Sequence, residues 1–221
     1  DKPYKTVAAA ITAASSGDSI ILKSGTYAEA LTIDKKLTIQ GKDSTEAGSV
    51  ITKPITVATT EPVVLSQLRI SVSGDVSGVE YSNKADGGTI SLKEVALYSP
   101  DSGLKINKET ATNKYSVNIE DSHINAPKHY AMWVRGQATN EIKVKSSKLE
   151  GWCAIYASLG QPDITITDSY LYGTNSYGDK FTMNWETNAP SNGFATLILE
   201  STQNGKIQLE DTYVAALHTA E

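Results

Sequence analysis

The sequence predicts an all-β solenoid, a parallel β-helix with a short capping helix at its amino end. This prediction rests on three observations. A segment recurs at the spacing of one solenoid coil, each unit has the composition of short strands joined by corners, and an amphipathic stretch precedes the first unit. Together they describe a chain that winds into stacked coils.

The recurring segment consists of an apolar residue, three or four mostly polar residues and a second apolar residue. It occurs at Leu65–Ile70, Leu92–Leu97, Ile119–Ile124, Val144–Leu149, Ile166–Leu171 and Leu209–Val214. Its first positions lie 27, 27, 25, 22 and 43 residues apart, and the last spacing is about two periods. A period of this length is typical of one coil of a solenoid.

The composition of each unit separates three kinds of solenoid. Each unit holds short alternating runs rich in Val, Ile, Thr and Tyr, with Asp-Ser, Gly or Asn at the corners. These are strand and turn signals. A leucine-rich repeat would need a Leu-x-x-Leu-x-Leu core, and helical repeats would need amphipathic stretches of about a dozen residues in each unit. The sequence contains neither, which leaves the β-helix.

A second strand is expected in each coil. The candidates are Gly78–Tyr81, Gly103–Ile106, Ala131–Val134, Ala154–Ala157 and Thr182–Trp185. Because side chains alternate along a strand, the second residue of each should point inward and the third outward. The inward set is Val79, Leu104, Met132, Ile155 and Met183.

The last coil gives two conflicting signals. Asn204 and Gly205 stand between two alternating runs, which is typical of an antiparallel hairpin. The segment Leu209–Val214 repeats the earlier units instead. We predict a parallel coil here, because it buries Ile207 and Leu209 on the existing stack.

Residues from about 4 to 18 should form the amino-terminal cap, with a helix from Thr6 to Ser15. Thr6 can cap the helix, and Gly17 can end it. Four apolar residues share one helical face, namely Val7, Ala10, Ile11 and Ala14. That face can cover the first coil, which would otherwise expose its core and its unpaired strand groups.

Residues 4–41 carry a resemblance to a known group of proteins. They contain Gly17-Asp-Ser-Ile20, Ser24-Gly-Thr-Tyr-Ala-Glu29 and Lys36-Leu-Thr-Ile-Gln-Gly41. This segment resembles the opening of pectinesterases and related pectin-lyase-like proteins. The resemblance implies a right-handed parallel β-helix. It does not imply the activity, because the aspartate, glutamine and arginine motifs of pectinesterases and the Arg-x-Pro-x-x-Arg strand of pectate lyases are missing from the sequence.

Length and charge restrict the function. The 221 residues contain no break in composition, so we expect a single domain over residues 1–221. A net charge of -5 with scattered lysines argues against a nucleic-acid partner, and no apolar run is long enough for insertion into a membrane. Cys153 lies in an apolar stretch and should be a buried free thiol. The chain begins at Asp1, so we expect that an export signal has been removed.

The outward positions of the second strand suggest a binding surface. Trp133 and Tyr156 should lie on neighbouring rungs as a flat, exposed aromatic step, with Lys105 on the preceding rung and Arg135 and Glu186 two residues further along their strands. A sugar ring can stack on such a step. The full set of candidate ligand-binding residues is Lys105, His129, Tyr130, Trp133, Arg135, Trp152, Tyr156 and Glu186. An equally open interpretation is that the aromatic rings only support one another.

Two smaller motifs have competing explanations. His129 and Tyr130 are candidates for an acid-base pair near Arg135, although a histidine in a polar loop is more often a plain surface residue. The Asp-Ser or Asp-Thr pairs at Asp121, Asp168 and Asp211 favour turn formation over calcium binding. We therefore expect no metal and no cofactor.

The preferred function is that of a secreted or cell-surface bacterial domain that binds a glycan or a host partner without catalysis, as in adhesion. One alternative is a carbohydrate-active enzyme, a lyase, hydrolase or esterase, that acts on an acidic polysaccharide with its site around Trp133, Arg135, Tyr156 and Glu186. Another is a structural spacer. The fold hosts all three, so the sequence leaves them open.

Overall fold

The structure is a computed structural model, and it describes residues 3–82, 85–138, 140–174, 196–200 and 205–216. One helix precedes the strands, α1 Val7–Ala13. In chain order the strands are β1 Ser19–Ile21, β2 Gly25–Tyr27, β3 Leu31–Ile33, β4 Leu37–Gln40, β5 Ser49–Ile51, β6 Ile55–Val57, β7 Val63–Ser71, β8 Val79–Tyr81, β9 Gly88–Tyr98, β10 Leu104–Lys108, β11 Tyr115–Glu120, β12 His123–Gly136, β13 Glu141–Lys145, β14 Lys148–Ser158, β15 Asp163–Thr167, β16 Tyr170–Gly173, β17 Leu197–Glu200, β18 Lys206–Glu210 and β19 Tyr213–Ala216.

The strands stack into three faces, and the pairings between described strands are parallel. The first face consists of β1, β4, β11, β13, β15, β18 and the first halves of β7 and β9. The second face consists of β2, β5, β16, β19, the second halves of β7 and β9 and the first halves of β12 and β14. The third face consists of β3, β6, β8, β10, β17 and the second halves of β12 and β14. The predicted parallel β-helix is confirmed.

The inward residues form one continuous core. Val79, Leu104, Met132 and Ile155 of the third face are completely buried, as the alternation predicts. Met183 was expected to be the next in this column, but the strand that pairs with β14 there is β17, with Leu197 beside Ile155. The assignment of Thr182–Trp185 to this rung is therefore wrong, and those residues lie outside the described part of the chain. Because the spacing before Leu209 is about two periods, the sequence did not indicate which segment pairs with β14.

The recurring segment is a strand that bends at one residue. Its third residue adopts a left-handed backbone conformation in every copy, with φ between 45° and 53° at Gln67, Glu94, Asp121, Ser146, Asp168 and Asp211. A single left-handed residue turns the chain from the first face to the second, and among residues other than glycine Asp is one of those that tolerate this conformation. The Asp residues of the Asp-Ser pairs thus form turns, as predicted.

A ladder of buried hydroxyl groups follows this corner. The amide of Ser122 donates to the hydroxyl of Ser147, and the amide of Ser147 donates to that of Ser169, both at 3.1 Å. Each of these serine hydroxyls also donates to the carbonyl two residues earlier. The ladder satisfies backbone groups that the bend removes from the strand pairing. Within the described residues, no group of three or more His, Cys, Asp or Glu side chains is placed to hold a metal ion.

The helix covers the amino end of the core. Its buried face contains Val7, Ala10 and Ile11, as predicted, and the Thr6 hydroxyl accepts a hydrogen bond from the Ala9 amide at 3.1 Å. The helix ends at Ala13, two residues before the predicted end at Ser15. Gly17 lies in the turn that follows and is not the helix cap.

Two charged side chains of the first coil hold this helix at its ends. The carboxylate of Glu29 accepts hydrogen bonds from the Val7 and Ala8 amides at 2.8 and 3.0 Å. The ammonium of Lys35 donates to the carbonyls of Ile11 and Ala14 at 3.1 and 3.2 Å. An anion at the start of a helix and a cation at its end both interact favourably with the helix dipole. Glu29 belongs to the pectinesterase-like opening, and this contact shows that it has a structural role here.

At the carboxyl end, β18 continues the first face. Ile207 pairs with Ile164 and Leu209 with Ile166, in parallel. The predicted parallel coil is confirmed, and the hairpin alternative is wrong; Asn204 lies outside the described residues. Leu209 and Val214 are 46% and 43% exposed, because in the described structure they lie on the last rungs. The described part of the chain has no helix with the length and apolar character needed to cross a membrane.

Candidate functional site

The outward residues of the third face align in two rows, as predicted. Lys105 pairs with Trp133, and Trp133 pairs with Tyr156. In the second row, Asn107 pairs with Arg135 and Arg135 with Ser158. Because paired rungs lie about 4.8 Å apart, residues from three distant parts of the sequence meet on this face.

The aromatic residues do not form the expected flat and exposed step. Tyr156 is only 5% exposed, and its ring meets Trp133 edge to face, with the centroids 6.1 Å apart and the planes at 89°. Tyr156 instead stacks on Tyr130, at a centroid distance of 4.8 Å. Tyr130 is itself only 3% exposed. It is therefore too deeply buried to be the accessible acid-base partner of His129 that the sequence suggested. The prediction of an exposed platform is therefore wrong for Tyr156.

These rings form a small hydrophobic cluster on the outside of the coil. We call it the aromatic cluster, and it comprises Tyr130, Trp133, Trp152, Cys153, Tyr156 and Ile198. Trp152 packs edge to face against Tyr130, with the centroids 6.4 Å apart. The Cys153 thiol is completely buried, as predicted, and burial raises its pKa to about 12. It is accordingly an unreactive thiol at neutral pH.

Two cations border the aromatic cluster. The Lys105 ammonium lies 5.2 Å from the centre of the Trp133 ring, a cation-π contact, and 3.9 Å from the Glu80 carboxylate. The guanidinium Nη1 of Arg135 donates to Glu109. Both cations have side chains that are mostly buried, while their glutamate partners are 47% and 57% exposed. The site thus holds its positive charges in place beside a partly covered indole ring.

Several polar atoms around these cations are buried without a hydrogen-bond partner among the described residues. They are the Arg135 Nε, the Trp133 Nε1, the Asn107 Oδ1 and the Ser158 Oγ. Three of them belong to one row, at paired positions on β10, β12 and β14. Buried polar groups without partners cost about 1–3 kcal/mol each, so a cluster of them points to a polar ligand. The Arg135 Nε and the Trp133 Nε1 supply donors, and the Asn107 Oδ1 supplies an acceptor.

A second cluster lies at the corner before the third face. The His129 Nδ1 lies 3.0 Å from the Ser102 hydroxyl and 3.4 Å from the Asp101 carboxylate, and the Ser77 hydroxyl donates to Asp101 at 3.1 Å. The hydrogen bond from His129 lowers the pKa of Asp101 to about 2, against the opposing effect of burial. Asp101 is therefore a carboxylate at any pH above about 4.

This cluster contains the three residue types of a serine-hydrolase triad, but it lacks the geometry. In such a triad the serine and the aspartate contact different ring nitrogens. Here Ser102 and Asp101 contact the same nitrogen of His129, and Ser102 is completely buried. The arrangement orients the imidazole ring and offers no nucleophile.

Sequence reasoning singled out His129 but missed its partners. Asp101 and Ser102 precede it by 28 and 27 residues, which is one coil, so the coil period itself could have identified them. The corner of β12 also contains extra residues compared with β14, since the register shifts between Ala126 and Tyr130. The Lys128 amide donates to the Pro100 carbonyl at 3.2 Å, so this longer corner lies against the corner that holds Asp101.

A shallow groove continues the third face toward the amino end. Its volume is about 300 Å³, and Ser77, Glu80, Asp101 and Lys105 are among the residues that line it. Lys105 therefore stands between the groove and the Trp133 ring.

Glu186, the remaining candidate, lies outside the described residues. The backbone position that we had assigned to it, beside Ser158, belongs to Glu200 of β17. The structure therefore brings together Lys105, Trp133 and Arg135, places His129 beside Trp133, and buries Tyr130 and Tyr156.

Comparisons with known proteins give similarity at the level of structure. No protein-family model and no curated protein sequence matches the chain. A PL6 family alginate lyase is similar in structure, with a TM-score of 0.62 and 12% sequence identity over 96% of this chain. This chain spans only 38% of the length of that lyase. A pectin methylesterase in complex with a hexasaccharide is also similar, with a TM-score of 0.53 and 14% identity over 97% of this chain and 90% of the other.

Identities this low concern the shared architecture, and both proteins are right-handed parallel β-helices. The resemblance predicted from residues 4–41 is confirmed at the same level. The chain therefore has the right-handed parallel β-helix fold that is found in the alginate lyase and in the pectin methylesterase.

Proposed function

We propose that the third face binds an acidic polysaccharide, with Lys105, Trp133 and Arg135 as the central contacts. The observation that supports this most directly is the Lys105 ammonium over the Trp133 ring, next to an Arg135 guanidinium whose Nε has no partner among the described residues. Arginine recognises carboxylates through paired N–H donors, and an indole ring offers an apolar surface to the C–H groups of a sugar. A charged sugar polymer matches both features.

The similar structures support the same class of ligand. One is named as an alginate lyase, and the other is a pectin methylesterase bound to a hexasaccharide. Polymers of this kind occur outside the cytoplasm, so the proposal includes secretion or display on a bacterial cell surface. Attachment to a host surface through such a glycan, as in adhesion, is a further part of it.

Removal of positive charge from two faces tests the proposal. The double variant Lys105→Ala and Arg135→Ala removes both cations from the third face. The matched control, Arg69→Ala and Lys148→Ala, removes one arginine and one lysine from outward positions of the second face. Migration in native gels that contain alginate, polygalacturonate or a neutral glucan reports the binding of each variant.

We expect the acidic polymers to retard the wild type and the control variant equally, and the third-face variant to migrate as if no polymer were present. The neutral glucan should have a smaller effect on all three proteins. Equal retardation of the two double variants would show that the third face is not the binding surface.

A second candidate function, a carbohydrate-active enzyme, is favoured by one specific observation. The Asp101 carboxylate orients the His129 ring at the edge of the same site. An oriented histidine beside a sugar-binding surface is a feature of acid-base catalysis.

A further inference from the structure

We infer that His129 is the proton acceptor of a β-elimination reaction that cleaves the bound acidic polysaccharide. The inference rests on the proposed function, because it needs a uronate polymer on the third face. It adds a chemical step, and it reverses the expectation of a domain without catalysis.

The first support is the orientation of the His129 ring. The ring nitrogen Nδ1 is engaged by Asp101 at 3.4 Å and by Ser102 at 3.0 Å. The Asp101 carboxylate is held in turn by the Ser77 hydroxyl at 3.1 Å. A proton on Nδ1 that is shared with a carboxylate leaves the lone pair on Nε2. Because the Asp101 carboxylate can only accept a hydrogen bond, its contact with Nδ1 from the preceding coil favours the tautomer that has its proton on Nδ1 and accepts a proton at Nε2.

The second support is the position of this ring within the site. The His129 and Trp133 rings meet edge to face, with the centroids 5.2 Å apart. The Lys105 ammonium lies 5.2 Å from the centre of the same indole ring. A sugar that stacks on Trp133 therefore lies beside both a proton acceptor and a cation. The His129 side chain is 28% exposed, so a ligand can reach it.

The third support is electrostatic. Lys105 is close enough to Asp101 to contribute to the lowering of its pKa. A cation beside the carboxylate of a uronate stabilises the negative charge that develops when the neighbouring carbon loses its proton. Lys105 and the oriented His129 therefore act on adjacent atoms of one sugar.

The chemical step balances without any other reactant. The His129 Nε2 takes the proton from the carbon that bears the carboxylate, and the electron pair forms a double bond to the next ring carbon. The bond from that carbon to the glycosidic oxygen breaks. The oxygen leaves as a hydroxyl group of the neighbouring sugar, with the proton that the imidazolium returns. The products are an unsaturated uronate at one new end and a hydroxyl group at the other.

Other reactions fit the site less well. Hydrolysis requires two facing carboxylates, roughly 5–9 Å apart, on either side of the glycosidic bond. In this site each nearby carboxylate is already engaged: Asp101 by His129 and Ser77, Glu80 by Lys105, and Glu109 by Arg135. Transfer through a serine nucleophile fails because Ser102 is buried and contacts the same nitrogen as the carboxylate.

The chain provides a matched control histidine. His123 lies on the second face, and its Nε2 contacts the Glu150 carboxylate. It is thus also a histidine next to an acid, but it has no part in the third face. Substitution of either histidine removes an imidazole next to a carboxylate, on the second face for His123 and beside the third face for His129.

The experiment incubates wild-type protein, His129→Ala, His129→Gln and His123→Ala with polygalacturonate or with alginate. The ultraviolet absorbance of the unsaturated ends measures cleavage, and native gels that contain the same polymer measure binding. Thermal unfolding confirms that each variant is folded. The glutamine variant preserves most of the side-chain volume should the alanine variant be unstable.

We expect unsaturated ends from the wild type and from His123→Ala at equal rates. Both His129 variants should retain binding and lose at least about 100-fold in the rate of cleavage, the usual contribution of a general base. If the wild type binds either polymer and releases no unsaturated ends, the inference is wrong and the binding proposal stands. If the wild type binds neither polymer, both are wrong. Cleavage that the His129 variants retain would assign the chemistry to another group.

Discussion

The second and third faces both display aromatic and basic side chains at outward positions, but they use them differently. On the second face, Tyr170 and Tyr213 stack with their planes 11° apart, and Tyr213 is 61% exposed. On the third face, Trp133 and Tyr156 are perpendicular, and Tyr156 is 5% exposed. Each face also has a lysine over an aromatic ring, Lys148 over Tyr170 and Lys105 over Trp133.

The difference between the faces arises at their corners. On the second face the rungs repeat with little change, so equivalent side chains stack in register. At the entry to the third face, the longer corner of β12 places His129 just before Tyr130, and the Tyr130 ring packs against Tyr156 and Trp152. The Tyr130 ring stacks on Tyr156 and contributes to its burial, whereas Trp133 is only partly buried. The exposure of an outward position in this solenoid thus depends on which side chains pack over it, as well as on the alternation along the strand.

The largest expected effect is a difference in stability between alanine variants of two tyrosines at outward positions, Tyr156 and Tyr213. Replacement of Tyr156 by Ala removes a buried ring from the aromatic cluster and should cost about 3 kcal/mol of stability. Replacement of Tyr213 by Ala removes an exposed ring and should cost less than about 0.5 kcal/mol. Urea unfolding of both variants measures the two costs. Equal losses of stability in the two variants would show that the tyrosines of the two faces do not differ in burial.

An intermediate effect concerns ligand binding. Trp133 and Tyr170 are both partly buried and both lie beneath a lysine. Trp133→Ala should weaken the binding of polygalacturonate or alginate at least about tenfold, which corresponds to about 1.4 kcal/mol, whereas Tyr170→Ala should not change it. Titration calorimetry with each polymer compares them. If only Tyr170→Ala bound the polymers more weakly, the binding site would be on the second face.

The smallest effect is a pH dependence of stability at the corner of the third face. The pKa of Asp101 is lowered to about 2, chiefly by its hydrogen bond with His129. A lowered pKa stabilises the folded state above the unfolded value of about 4, and this contribution disappears as the pH falls toward 2. Asp101→Asn should therefore be less stable than the wild type at pH 6, and the difference should shrink between about pH 4 and pH 2.

On the second face, Glu150 is a carboxyl group comparable to Asp101, because it also contacts a histidine and also has a lowered pKa. Desolvation would raise its pKa, but hydrogen bonds from Lys148 and His123 bring the pKa below its usual value. Glu150→Gln should show the same sign of pH dependence. Thermal unfolding from pH 2 to pH 6 follows both variants, and a difference for Asp101→Asn that stayed constant with pH would contradict the assignment of its carboxylate.

Much of the fold could be predicted because it depends on local periodicity. The inward positions of Val79, Leu104, Met132 and Ile155 follow from the alternation of side chains along a strand. The parallel pairing of β18 follows from the repeated segment at Leu209–Val214. The assignment of Thr182–Trp185 to the rung beside Ile155 failed because Leu197 occupies that position, and periodicity does not predict the length of chain between β16 and β17.

Less of the site could be predicted. The rows through Lys105, Trp133 and Arg135 follow from the register of the strands. The burial of Tyr156 does not, because it depends on how the corner residues fold back over the face. The contact between Asp101 and His129 depends on the same corner. The coil period could have suggested it, but the distance of the two groups from each other is set by the extra residues between Ala126 and Tyr130.

The most direct measurement is a crystal structure of the protein with a bound uronate oligosaccharide. We expect a sugar ring against Trp133, with its carboxylate on Lys105 or on the Nε side of Arg135, and the His129 Nε2 facing the carbon that bears the carboxylate. A sugar bound to Tyr170 and Tyr213, with the third face unchanged, would contradict the account.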